Sequence, residues 1–166
     1  MNRTLASRAL IATFCFLVSI VPSIAAAEYR VTAFGDSTGF DALLQGDEEA
    51  AKAQMSVANL AELNFAEANN LCVAEILGKD FESAMSACLV SLDKIKFASD
   101  VSPMSAKSAK ASIYSNLAVA KALAGDLKGA STALEVALVY KSTDSNALNN
   151  FDLVSASLMA LEIAQN

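Results

Sequence analysis

The sequence predicts an all-α fold, a row of antiparallel helical hairpins, and three features carry that expectation. Beyond residue 27 the chain is rich in Ala, Leu, Ser and Asn, with Pro103 as its only proline. Apolar residues recur at intervals of three and four, as in Leu71, Ala74, Leu77 and again in Leu117, Ala120, Leu123. That is a helical period, not the alternation of strands. Breaks between these stretches set a residue tolerant of positive φ beside an acid, at Gly46-Asp47, Gly78-Lys79-Asp80 and Gly125-Asp126. Such a pair closes one helix and caps the next.

In chain order, residues 1–27 read as a secretory signal peptide. Arg3 and Arg8 precede an uncharged run from Ala9 to Val21, then come Pro22 and the small residues Ala25, Ala26 and Ala27. Cys15 follows Phe14 rather than the small residues of a lipoprotein box, which argues against a lipid anchor. The mature chain is expected to begin at Glu28, and 28–166 to form one helical domain. Losing Arg3 and Arg8 takes the formal charge from -6 to -8, because no acid precedes Glu28. So acidic a chain is repelled by phosphate backbones and anionic headgroups, which disfavours nucleic acid and membrane surfaces as partners. Tyr29 to Phe34 is the one stretch that hints at extended backbone.

Helices are expected at 37–45, 47–57, 60–77, 80–97, 103–124, 126–140 and 146–163. Ser102-Pro103 is a start signal, a serine oxygen for the first-turn amides followed by a residue with no amide to orphan. Residues 70–92 laid on 116–138 match at ten positions, among them Asn70 with Asn116, Leu71 with Leu117, Asp80 with Asp126 and Ala84 with Ala130. A further copy starts near Asn149-Asn150, 34 residues after Ser115-Asn116, and a partial one ends at Gly46 to Ala51.

These residues resemble the tetratricopeptide repeat family, most clearly in YSNLAVAKALAGDLKGASTALEVAL from Tyr114 to Leu138. Tyr114 falls on the first aromatic position, Asn116 on the family asparagine, Leu117 and Ala118 on the large-small pair, and Gly125-Asp126 on the turn. Ala130, Leu134 and Ala137 take the packing positions of the second helix. The earlier copy departs from the pattern, with Cys72 for Ala118, Cys88 for Leu134 and Lys79 for the turn glycine. The resemblance implies hairpins stacked as a short right-handed solenoid, and a non-enzymatic role in holding another protein.

In a hairpin turning near Asp80, Cys72 and Cys88 face each other, and in an oxidising compartment a disulfide would staple the two helices. Two buried free thiols packing as small hydrophobes are the alternative. The family binds extended peptides in a groove lined by the first helix of each hairpin, which nominates Asn70, Asn116 and Asn150 as partner-binding residues. Carboxylate-clamping relatives add basic residues four positions earlier. Here those positions hold Ala66, Ser112 and Asn146, so no carboxylate clamp is expected.

AFGDSTGF, from Ala33 to Phe40, resembles the nucleophile block of the GDSL esterases. With no histidine in the chain, Ser37 lacks a base, and Asp36, Ser37 or Thr38 is read instead as a helix cap. Asp47-Glu48-Glu49 lacks the alternating oxygens of a calcium loop and reads as an acidic helix start. No catalytic residue, metal or cofactor is expected. The function read from the sequence is an exported interaction module, periplasmic in a Gram-negative cell and otherwise extracellular, binding a protein or peptide. The alternative is a self-associating helical protein using Leu153, Leu158, Leu161 and Ile163.

Overall fold

The computed structural model describes residues 28–55 and 59–165. The signal-peptide assignment to residues 1–27 lies outside the described residues. Seven helices are present among them: α1 (Phe40–Leu44), α2 (Glu48–Met55), α3 (Phe65–Leu77), α4 (Phe81–Lys94), α5 (Pro103–Leu123), α6 (Leu127–Tyr140) and α7 (Ser145–Gln165). Within these residues no β-strand forms, so the all-α class is observed.

Each helix packs against its chain neighbours, and the only other contacts are between odd helices, α1 with α3, α3 with α5 and α5 with α7. This is the contact pattern of a linear array. The odd helices lie side by side on one face, and no even helix touches another even one. Each two-helix unit is shielded by the next, since none buries its apolar stripe alone.

Local chemistry sets the turns. At Gly46, Lys79 and Gly125 the backbone takes φ values of 74°, 65° and 90°. In each case the following aspartate N–H reaches five residues back, Asp47 to Ala42 O, Asp80 to Glu75 O and Asp126 to Lys121 O, all at 2.9 Å. That bond satisfies a carbonyl the helix end would otherwise orphan. The aspartate side chain then caps the next helix, accepting from Ala50 N at 2.9 Å, Ser83 N at 3.1 Å and Gly129 N at 2.8 Å. Ser102 caps α5 through the Ser105 N–H at 3.2 Å. Asp144, absent from the sequence reading, does the same for α7 through Ala147 N at 3.1 Å.

Two expected starts are corrected. Helix α3 begins at Phe65, not residue 60, because Asn64 and Glu67 form a capping box: Asn64 Oδ1 accepts from Ala66 N and Glu67 N, and Glu67 Oε2 accepts from Asn64 N at 3.0 Å. Helix α1 begins at Phe40 behind Gly39, whose φ is 83°, and no side chain caps it. Asp36, Ser37 and Thr38 therefore do not serve as its cap. Thr38 Oγ1 instead donates to Glu67 Oε1 at 2.8 Å.

The core is built on close approach. Ala118, Ala130, Ala133 and Ala137 bring α5 and α6 together, and Leu134 fills the space beside them. In the preceding hairpin Cys72 and Cys88 take the corresponding places, wholly buried, with sulfurs 2.17 Å apart in a disulfide between α3 and α4. The expected pairing is present.

Candidate functional site

Asn70, Asn116 and Asn150 sit on α3, α5 and α7, the helices that share one face, and all three are fully buried. Their amides hold the chain's own residues 30–34. Asn150 accepts from Arg30 N at 2.8 Å and donates to Arg30 O at 2.7 Å. Asn116 accepts from Thr32 N at 2.9 Å and donates to Thr32 O at 2.8 Å. Asn70 accepts from Phe34 N at 2.7 Å and donates to Phe34 O at 3.0 Å. Every second residue turns both backbone groups to the same floor, which is the signature of extended chain. One carboxamide pairing with both the N–H and the C=O of one residue reproduces half a β-ladder with side chains.

The residues just before these asparagines tie the units together. Asn116 Nδ2 donates to Asn69 Oδ1 at 2.9 Å, and Asn150 Nδ2 donates to Ser115 Oγ at 3.0 Å. Asn69 also donates to Thr32 O at 2.9 Å, Asn149 to Glu28 O at 3.3 Å and Asn146 to Thr32 Oγ1 at 2.9 Å. Sequence reasoning gave no role to Asn69, Ser115 or Asn149, and weighed Asn146 only as a clamp position. The signal for the first three was a polar residue immediately before each repeated asparagine. The buried amides are thereby spent on one another and on the segment, as buried polar groups must be.

Side chains of the segment leave to opposite sides. Phe34 meets the Phe65 ring edge-on with centroids 5.9 Å apart, and Thr32 reaches Asn146, both toward the N-terminal ends of the odd helices. Tyr29 and Val31 line a cleft with Ile76, Leu77, Val119 and Leu123, at the C-terminal ends of α3 and α5. The segment thus lies across the face with its N-terminal end on α7 and its C-terminal end on α3.

Ser37 Oγ is buried without a hydrogen-bond partner among the described residues. Asp47 is spent as a helix cap, and Glu49 pairs with Lys52 at 2.5 Å. Backbone N–H donation from Ser83 holds the Asp80 carboxyl below its ordinary value, and donation from Gly129 does the same for Asp126. Burial pushes Glu75 upward against the opposing pull of Lys52 at 3.9 Å. Comparison with models of known protein families, with curated proteins and with solved structures finds no match to this chain.

Proposed function

We propose that this chain is an exported, non-enzymatic interaction module of tetratricopeptide-like architecture, its helix pairs stacked as a short right-handed solenoid, that holds an extended segment of a protein partner. One observation carries the reading: three asparagines on successive odd helices grip an extended backbone by its N–H and C=O groups, whatever the side chains. A face of that kind recognises extended peptide as such. In the resting chain it is occupied by residues 30–34, so a partner using the same asparagines must displace them, and affinity falls by the fraction of time the face is closed. Export is supported by the disulfide and by the sequence of residues 1–27; no described helix is long and apolar enough to cross a membrane.

The test is capture from a cell-envelope extract by three baits: the chain starting at Glu28, the same chain lacking residues 28–34, and the shortened chain carrying Asn116→Ala and Asn150→Ala. The shortened chain is expected to enrich proteins that the other two do not. Identical recovery by all three would refute the assignment.

A second reading, self-association, has its own support. Met159, Leu161 and Ile163 near the end of α7 are 63%, 49% and 78% exposed, an apolar stretch that no other described helix covers. Sedimentation of the wild type against Leu161→Lys tests it: a weight-average mass that is independent of concentration and equal in both removes this reading.

A further inference from the structure

Residues 28–34 have two edges, and only one is used among the described residues. The groups of Arg30, Thr32 and Phe34 face the asparagine row. The N–H and C=O groups of Tyr29, Val31 and Ala33 make no hydrogen bond among the described residues. In extended chain they point the opposite way, out of the face, at a repeat of about 6.8 Å. Side chains lie to either side of this line, so the outward edge is not covered by the segment's own atoms.

We infer that this outward edge is a strand-addition site for an extended peptide of another protein, one with apolar side chains at alternate positions. The inference rests on the reading of the chain as an interaction module. Unpaired amides and carbonyls at a two-residue repeat match another extended backbone, two bonds per facing residue. Flanking apolar clefts supply the side-chain contacts. One, of about 380 Å³, is lined by Tyr29, Val31, Ile76, Leu77, Val119 and Leu123. The other, of about 440 Å³, lies beyond Phe34, between Phe65 and Ala66 of α3 and Met104 and Ala109 of α5. A strand laid on the edge drops alternate side chains toward these two clefts. Val31, Thr32, Ala33 and Phe34 are half-buried, which admits a single strand more readily than a second folded copy.

The probe is an acetylated, amidated heptapeptide alternating Val and Thr, titrated into the chain starting at Glu28. Saturable binding is expected, weakened at least about tenfold by Val31→Pro and by Ala33→Pro. Each proline deletes an outward N–H and leaves the asparagine bonds in place. Should a proline variant lose its helical circular dichroism, amide exchange in the wild type decides the matter. Bound peptide should slow exchange at Val31 and Ala33 while leaving Thr32, already bonded to Asn116, unchanged. The inference is overturned by equal binding to the proline variants, by unchanged exchange at Val31 under saturating peptide, or by no saturable binding up to about 1 mM. Equal binding combined with faster Thr32 exchange would mean that the peptide displaces the segment, which removes the edge site and leaves the interaction-module reading standing.

Discussion

Asn116→Ala is the most informative single perturbation, because Asn116 sits at the centre of the row. The truncation deletes three bonds, to Thr32 N, Thr32 O and Asn69 Oδ1. Thr32 O keeps its bond from Asn69, so two groups lose their only partner on that side: the Thr32 amide and the Asn69 oxygen. Each orphaned buried group costs about 1–3 kcal/mol, less where water can enter, so a loss of about 3 kcal/mol is expected. For a domain of this size that lowers the melting temperature by roughly 6–12 °C. Asn116→Asp should cost more, since one oxygen still accepts from Thr32 N while the other opposes both Thr32 O and Asn69 Oδ1. Urea unfolding measures both, and amide exchange at Thr32 should quicken in step. A loss below about 0.5 kcal/mol for Asn116→Ala would refute the claim that the row is what seats the segment.

Other expectations concern the scaffold. Lys79→Gly should stabilise the protein by about 1 kcal/mol, because a non-glycine residue sits at φ 65° where Gly125 serves in the next hairpin; thermal melting checks it. Reduction of Cys72–Cys88 should lower stability by about 3 kcal/mol, read from urea curves with and without reductant. The lowered carboxyls of Asp80 and Asp126 contribute stability above the ordinary aspartate value, and that contribution fades as pH falls from there through their lowered values. Glu75, shifted upward, has the opposite sign and loses stability for the fold as pH rises past the ordinary glutamate value. Asp80→Asn with Asp126→Asn keeps both caps and should flatten the acid limb of a stability-against-pH curve, leaving the neutral region little changed. An acid limb as steep as that of the wild type would show that other carboxylates set it.

The helices, the hairpin turns and the positions of the three asparagines were legible in the sequence, because each depends on residues within a few places of one another. The pairs Gly46-Asp47 and Gly125-Asp126 close one helix and cap the next through bonds that span only a few residues, and the Asn64 and Glu67 capping box that moved the start of α3 was there to be read. Lys79 in the left-handed region was not signalled by its own type. Only its alignment with Gly125 pointed to it. What the asparagines hold was decided by tertiary structure alone. Their partners lie 36, 84 and 120 residues away in the chain, and an amide carries no mark of whether it will meet a foreign peptide or a distant segment of its own chain. The odd helices first have to line up on one face, and only then does residue 28–34 find a floor whose bonding groups repeat at the spacing of an extended backbone.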